Sequence, residues 1–197
     1  MSPSPELREQ LIDAAERLLA ERQVSAITTR DIARAAGLSD GVLYNYFANK
    51  ADLVVAALLR RYEAQLLEFD AGLPAAGEGD VEDNLVAYSE ALFTLAAATL
   101  PAVAGLMSEP ELMNRFLLEI HGPDYGIQRT FGRVGAYLTE EQRIGRLGEF
   151  DVASAVIAFA GSMIALGFQA GLGGGSLDAA RAQIPAIVRT LVTGIGA

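Results

Sequence analysis

The chain has 197 residues, of which 51% are hydrophobic and 7% aromatic, so it can form one sizeable core or a small domain beside a larger one. Its 25 acidic and 15 basic residues give a net charge of −10, which argues against a surface that coats nucleic acid or an anionic membrane throughout. The absence of cysteine and the single histidine exclude disulfides, thiolate metal sites and a histidine-rich metal centre. We expect neither a metal nor another cofactor.

Apolar residues recur at three- and four-residue intervals, and no alternation typical of strands is found, so the chain is predicted to be all-α. Helix starts are assigned from capping residues, and helix ends from glycine and proline. In chain order the first four predicted helices run from Ser4 to about Glu21 or Arg22, from Thr28 or Thr29 to Gly37, from Ser39 to near Phe47, and from Asn49 toward Asp70. The next three are Val81–Ala98 with Asp80 as its cap, a shorter helix from Pro101, and one from a capping box of Ser108 and Glu111 to Gly122. The last three run through Phe131 to near Gly145, from Asp151 to about Ala170, and over Leu177–Val192 with a bend at Pro185. The Gly- and Pro-rich segment Ala71–Asp80 is the best linker candidate.

Two uncharged stretches bear on the membrane question. Ala91–Ser108 is interrupted by Pro101, and Val152–Leu177 is rich in Ala, Ser and Gly and lacks a flanking basic cluster. About 20 clearly apolar residues are the usual requirement for a membrane span, so buried helices are favoured. The polar N-terminus carries no export signal, and a cytoplasmic protein without a membrane partner is expected.

The most informative stretch is Thr28–Leu53, with the sequence TTRDIARAAGLSDGVLYNYFANKADL. It describes two short helices joined by a tight turn at Gly37, with apolar residues placed to pack the helices together. The second helix presents small and polar side chains that cannot all be buried. A helix with such a free face fits the major groove of DNA.

This stretch resembles the helix-turn-helix of the TetR family of bacterial transcriptional regulators. The resemblance is carried by the Thr-Thr-Arg-Asp-Ile-Ala opening, by Ala-Gly-Leu-Ser at the turn, and by Gly-Val-Leu-Tyr-Asn-Tyr-Phe followed by Asn-Lys, and it covers about residues 5–55. It implies an N-terminal three-helix helix-turn-helix domain, residues 1–48, that binds DNA. It further implies that this domain is joined to a larger helical ligand-binding and dimerisation domain, residues 49–197.

The resemblance also implies which residues contact DNA. Hydroxyl groups at the start of the second helix and a lysine at the start of the fourth would contact phosphate, while the third helix would read bases. Asp40 is either an acceptor for a cytosine amine or a solvated residue of the first helical turn. The implied DNA-binding residues are Thr28, Thr29, Arg30, Ser39, Asp40, Gly41, Val42, Tyr44, Asn45, Tyr46 and Lys50.

The helix predicted from Asp151 to Ala170 bears on the oligomeric state. It is uncharged on every side, so it must be buried on every side, and a partner subunit is the simplest cover. An internal core helix is the alternative. A symmetric homodimer would also read two half-sites about 34–36 Å apart. The predicted interface residues are Ser154, Ala158, Gly161, Ser162, Ala165, Ile184, Ile187, Val188 and Leu191.

An effector site in the larger domain is implied by the family. Methionine and aromatic residues at helical spacing are more often core than ligand site, and a histidine such as His121 more often ends a helix than binds a metal. Few charges occur in these helices, which favours an apolar or amphipathic ligand. The candidate ligand-binding residues are Phe93, Met107, Met113, Phe116, His121, Tyr125, Phe131 and Met163.

The predicted function is therefore a ligand-responsive transcriptional regulator, most simply a repressor released from its operator by a small effector. The expected partners are double-stranded operator DNA, a second copy of the chain and an unknown small molecule. A small all-α enzyme and a helical interaction module are the alternatives. No catalytic role is expected, because adjacent acidic residues such as Glu140 and Glu141 point in different directions on a helix and do not converge on a substrate.

Overall fold

Helices account for nearly all of the regular structure. The computed structural model describes residues 4–122, 127–171 and 174–195, and within these ranges it contains ten α-helices, one short 3-10 helix and no strand. The all-α prediction is confirmed. The elements are α1 (Pro5–Glu21), the 3-10 helix (Val24–Ala26), α2 (Thr29–Ala35), α3 (Asp40–Leu43), α4 (Lys50–Ala71), α5 (Val81–Leu106), α6 (Pro110–Ile120), α7 (Ile127–Arg143), α8 (Val152–Gly171), α9 (Leu177–Arg181) and α10 (Ile184–Ile195).

Local capping bonds begin four of these helices where the sequence predicts them. At α2 the Thr28 hydroxyl accepts a hydrogen bond from the Asp31 N–H at 3.1 Å, and the Asp31 carboxylate accepts from the Thr28 N–H at 3.0 Å. Side-chain oxygens of Asn49, Asp80 and Asp151 accept from backbone N–H groups in the first turns of α4, α5 and α8. The donors at helix N-termini that lack an intrahelical partner are thereby satisfied.

Helix α5 differs from the prediction that Pro101 starts a new helix. It continues unbroken from Val81 to Leu106 with Pro101 inside it. Packing against α8 explains the continuity: a Cβ on the buried Gly167 would lie 3.1 Å from the Ala96 Cβ, and a Cβ on Gly171 would lie 3.7 Å from the Pro101 Cγ. Close contact along this length holds the helix together across a residue that lacks an N–H.

Two further boundaries differ. Helix α6 begins at Pro110, at the first helical position where a missing N–H costs nothing, and Ser108 does not cap it. The last predicted helix is in fact two helices, α9 ending at Arg181 and α10 beginning at Ile184. Pro185 lies in the first turn of α10, so it helps to start a helix and does not bend one.

Contacts divide the chain into two compact units. One comprises the described residues of Met1–Ala64 and Ala102–Asp124, and the other those of Gln65–Pro101 and Tyr125–Ala197. The predicted boundary after residue 48 falls inside the first unit, because Leu53 of α4 is fully buried in its core. The core of the first unit consists of Leu11, Ile12, Ala14, Ala15, Leu18, Ile27, Ile32, Ala36, Leu43, Phe47, Leu53 and Ala57.

In the second unit, a buried carboxylate of α7 forms a hydrogen bond with the loop between α4 and α5. Glu141 of α7 is fully buried; its Oε1 accepts a hydrogen bond from the Gly77 N–H at 3.0 Å, and its Oε2 lies 3.4 Å from the Arg146 Nε. Arg146 also donates to the carbonyl oxygens of Glu78 and Gly79, at 3.4 and 2.5 Å. The ion pair therefore joins the loop to the end of α7.

Two helices bear on the membrane question. Val81–Gly105 and Val152–Gly171 are long and apolar enough to cross a membrane, judged by length and composition alone. Each contributes fully buried side chains to the core of the second unit, such as Phe93 of α5 and Phe159 and Met163 of α8. This placement is compatible with a soluble protein, in which core helices have the same composition.

In the first unit, a single arginine joins α4 to three acidic residues of α1. Arg60 Nη1 lies 3.2 Å from the Glu9 Oε2, and Arg60 Nη2 lies 2.5 Å from the Asp13 Oδ1 and 2.6 Å from the Glu16 Oε2. Because Arg60 pairs with all three carboxylates, the conformational entropy lost in ordering its one side chain is shared by three ion pairs.

We expect Arg60→Ala to lower the free energy of unfolding by about 1–2 kcal/mol, more than the loss of an isolated surface ion pair, because three carboxylates lose their common partner. The neighbouring exposed Arg61 is the matched control, and Arg61→Ala is expected to change stability by less than about 0.5 kcal/mol. Urea denaturation of the full chain measures both variants, and the difference between them should shrink in about 1 M salt. Equal losses in the two variants would contradict the role of Arg60.

Candidate nucleic-acid interface

Helices α2 and α3 are joined by a tight turn and packed on the core of the first unit. Gly37 lies in the turn with a φ of +69°, a conformation that favours glycine. Ile32 of α2 and Leu43 of α3 are fully buried, and Phe47 follows them in the turn after α3, where its N–H donates to the Leu43 carbonyl oxygen at 3.0 Å. Helix α3 is thus shorter than predicted, ending at Leu43, and it is held from its apolar side.

The opposite side of this motif is open to solvent. None of the eleven residues predicted to contact DNA is buried. Tyr44 is 57% exposed, and a Cβ on Gly41 would meet no atom within 4 Å, so no described residue of the first unit covers α3 at Gly41. Thr28, Arg30, Ser39, Gly41, Tyr44 and Asn45 are exposed, and Thr29, Asp40, Val42, Tyr46 and Lys50 are half-buried.

Two side-chain contacts connect α2 to α3 on this open side. Arg30 Nε donates to the Asp40 Oδ2 at 3.1 Å, and the hydroxyl oxygens of Thr29 and Tyr44 lie 3.5 Å apart. Asp40 therefore forms an ion pair with Arg30. The sequence alone allows this carboxylate two possible roles, as an acceptor for cytosine or as a solvated residue. The face combines one cation, one carboxylate and two hydroxyl groups, a set able to contact both phosphates and base edges.

The hydroxyl group of Thr28 is already used within the protein. It donates to the Asp31 Oδ2 at 2.6 Å, and these hydrogen bonds from Thr28 hold the pKa of the Asp31 carboxyl below its usual value. The Asp31 N–H also donates to the Thr28 hydroxyl, so a phosphate near this helix start would be contacted by the backbone N–H groups of Thr29 and Arg30. The sequence predicted that Thr28 caps α2, but it did not show that the cap occupies the hydroxyl group expected to contact phosphate.

Tyr46 and Lys50 also have partners inside the first unit. The Tyr46 hydroxyl oxygen accepts from the Ser4 N–H at 2.9 Å, and the Lys50 Nζ donates to the Val24 carbonyl oxygen at 2.7 Å. Ser4 precedes α1 without capping it through its side chain. Lys50, the only lysine of the chain, retains two N–H groups that could contact phosphate.

The candidate ligand-binding residues are divided between the two units. Phe93 and Met163 are buried in the core of the second unit with Phe131 packed against them, whereas Phe116 is buried in the first unit. Met107 and His121 are exposed and Met113 is half-buried, all three in the first unit, and Tyr125 lies outside the described residues. His121 is the C-terminal cap of α6, and its Nδ1 lies 2.7 Å from the Leu117 carbonyl oxygen, so it ends a helix as expected.

The predicted interface residues do not all lie at the surface. Ile184 and Val188 are fully buried in the core of the second unit, where their side chains pack within the chain, and the interface itself stays a prediction. Ser154, Gly161 and Ala165 are exposed, and Ala158, Ser162, Ile187 and Leu191 are half-buried.

Helix α8 carries exposed apolar residues that the sequence analysis missed. Ile157, Ile164 and Phe168 are 65%, 40% and 57% exposed, and with the exposed Gly161 they are spaced by four, three and four residues. This spacing puts them along one side of the helix. The signal was present in the sequence, but a helix that is apolar on all sides does not show which side faces the core.

Known proteins share the sequence of the helix-turn-helix motif. Residues 11–57 match the family model described as bacterial regulatory proteins, tetR family. The HTH-type transcriptional regulator TtgR of Pseudomonas putida is 49% identical over 53 residues, which are 27% of this chain and 25% of that relative. The matched region thus spans about a quarter of the length of this curated relative.

Solved structures extend the likeness to the whole chain at the level of fold. A crystal structure from Mesorhizobium loti superposes with a TM-score of 0.79 at 14% identity, covering 100% of both chains. The transcriptional regulator FadR from Bacillus subtilis, solved in complex with stearoyl-CoA, superposes with a TM-score of 0.62 at 22% identity over 95% of this chain and 98% of that one.

The exposed α3, seated by α2 and the tight turn, places the chain in the class of helix-turn-helix proteins. The match over residues 11–57 assigns the helix-turn-helix segment to the tetR family of bacterial regulatory proteins, and the superposed structures extend the likeness to the whole chain at the level of fold.

Proposed function

We propose that this chain is a DNA-binding transcriptional regulator, most simply a cytoplasmic repressor released from its operator by a small molecule. The observation that carries the proposal is the open face of α2 and α3, where Arg30, Asp40 and Tyr44 stand on a motif whose other side is buried. Arg30, Asp40 and Tyr44 are not part of the buried core, so their side chains are available to contact a DNA groove. The proposal includes no catalytic step.

The charge distribution supports a dimer as the active form. Residues 1–63 contain 8 basic and 9 acidic residues, so the motif lies in a nearly neutral stretch of the chain that can neutralise few phosphates. A single motif would bind weakly, whereas two copies held by one dimer would add their contacts. The exposed Ile157, Ile164 and Phe168 of α8 supply an apolar surface that a second copy would cover.

The proposed effector is apolar or amphipathic. FadR from Bacillus subtilis, which shares the fold, was crystallised with stearoyl-CoA, a molecule with a long acyl chain and a polar group. Phe93 and Met163 are buried in the core of the second unit and Phe131 packs against that core, so an acyl chain bound among them would have to displace part of their present packing. Acyl-CoA compounds are therefore the first effectors to test.

The direct test is a mobility-shift titration of a labelled duplex from the region upstream of the gene for this protein. We expect salt-sensitive and sequence-selective binding, weakened by stearoyl-CoA or a related acyl compound. An unrelated duplex of the same length and base composition is the control. Equal affinity for the two duplexes at every salt concentration would contradict the proposal.

We expect Tyr44→Ala to weaken binding to the selected duplex about tenfold or more, because it removes a large amphipathic side chain from the open face at the end of α3. The same change should alter the free energy of unfolding by less than about 0.5 kcal/mol, because the side chain is mostly exposed. Tyr44→Phe is the matched control and separates the ring from the hydroxyl group. Wild-type affinity in Tyr44→Ala would place the reading face elsewhere.

A further inference from the structure

The contact between Arg30 and Asp40 uses one edge of the guanidinium group only. The Nε atom donates to the Asp40 Oδ2 at 3.1 Å, and among the described residues the guanidinium makes no other hydrogen bond. Both side chains are substantially exposed, Arg30 by 73% and Asp40 by 46%. The edge formed by the two terminal nitrogens is therefore open to solvent.

That remaining edge matches a guanine. An arginine presents five N–H donors in a rigid, planar arrangement, and once the Nε is engaged the two terminal nitrogens can still form two parallel hydrogen bonds. In the major groove, guanine offers its O6 and N7 atoms as a pair of acceptors at the matching spacing, and this is the commonest specific contact between proteins and DNA.

The carboxylate favours a base over a phosphate as the partner of Arg30. A phosphate contact would bring a second anion near Asp40, with no other cation in the pair to balance it. A base edge carries no net charge, so the neutral pair can approach it at lower cost. Asp40 is also the first residue of α3 and is followed by the exposed Gly41, whose missing side chain leaves room for a base edge.

We propose that Asp40 is a positioning residue, which holds Arg30 so that its two terminal nitrogens read a guanine in the major groove. The inference rests on the proposed DNA-binding function and names part of its sequence specificity. Asp40 fixes the orientation of the guanidinium plane before DNA arrives, so less side-chain freedom is lost on binding.

The experiment is selection from a pool of random double-stranded oligonucleotides, followed by sequencing and by affinity measurements on the enriched duplexes. The wild-type protein should enrich duplexes with a guanine at one fixed position of each half-site. Arg30→Ala should lose that preference, by about 5- to 150-fold in discrimination against the other bases. Asp40→Asn, which keeps the size of the side chain but removes its charge, should lose much of the same preference.

Two readouts separate positioning from a structural role. Asp40→Asn should bind random duplexes more tightly than the wild type, because a negative charge near the phosphates is gone, and a damaged fold would not produce this gain. In the Arg30→Ala background, Asp40→Asn should change the guanine preference no further. Arg34→Ala and Glu21→Gln, which change the same charges at exposed positions of α2 and α1, are the matched controls and should keep the preference.

The outcomes distinguish the two proposals. If the wild-type chain enriches no sequence, both the DNA-binding function and this inference are overturned. If it enriches a sequence but Asp40→Asn or Arg30→Ala retains the full guanine preference, the inference alone is overturned and the DNA-binding function stands.

Discussion

Arg146→Ala is expected to lower the free energy of unfolding by about 3 kcal/mol, because it leaves the fully buried Glu141 carboxylate without its cation. Breaking a buried ion pair by removing one partner costs about 3–5 kcal/mol, and the lower end applies here because Arg146 is 28% exposed and water can enter the space it leaves. The carbonyl oxygens of Glu78 and Gly79 lose a donor at the same time. Urea denaturation of the full chain at one fixed protein concentration measures the loss.

Arg143→Ala is the matched control for this prediction. Arg143 lies three residues away in the chain and forms an ion pair with Glu140, but that pair is exposed to solvent, so its loss should cost less than about 1 kcal/mol. Adding Glu141→Gln to Arg146→Ala should recover part of the stability, because a neutral amide can still accept the Gly77 hydrogen bond without a buried charge. Similar losses in Arg146→Ala and Arg143→Ala would show that the burial of Glu141 has no energetic consequence.

Phe168→Glu is expected to convert the proposed dimer into monomers and to weaken binding to a selected duplex by about 100-fold or more, the gain that linking two binding modules typically brings. Phe168 is 57% exposed on α8, beside the exposed Ile164, so the substitution puts a charge into the surface proposed for the partner without disturbing the core. Sedimentation velocity gives the oligomeric state, and fluorescence anisotropy gives the affinity. Far-UV circular dichroism shows whether the monomeric variant keeps its helical fold.

Leu67→Glu introduces the same charge at a different exposed apolar residue, a leucine of α4 that is 61% exposed. We expect this control to remain dimeric and to keep its affinity for DNA. A dimeric Phe168→Glu variant would show that the exposed side of α8 is not the interface. A monomeric wild-type chain that binds DNA tightly would contradict the need for a dimer.

The parts of the fold that the sequence predicts are those decided by neighbouring residues. Caps at Thr28, Asn49, Asp80 and Asp151 involve side chains that reach backbone groups two or three residues away, so the local sequence contains both partners. The continuity of α5 through Pro101 is decided by contact with α8, about 70 residues further along the chain. No local pattern carries that information.

The same distinction applies to the candidate site. The turn at Gly37 and the buried positions of α2 and α3 follow from local spacing, and the structure has them as expected. The partners of Tyr46 and Lys50 are 42 and 26 residues away, so their internal hydrogen bonds could not be foreseen. On α8 the difficulty is different: its composition is apolar throughout, and only the packed structure separates the buried Met163 from the exposed Ile164.

The hydrogen bond from the Ser4 N–H to the Tyr46 hydroxyl has a practical consequence. It holds Ser4 beside the turn that follows α3, so a polypeptide fused to the N-terminus would start close to the face proposed to bind DNA. A polyhistidine purification tag in that place would present imidazole groups to the sugar-phosphate backbone and distort titrations in mildly acidic buffer. Affinity measurements on this protein should therefore be made with the fusion removed or moved to the other end of the chain.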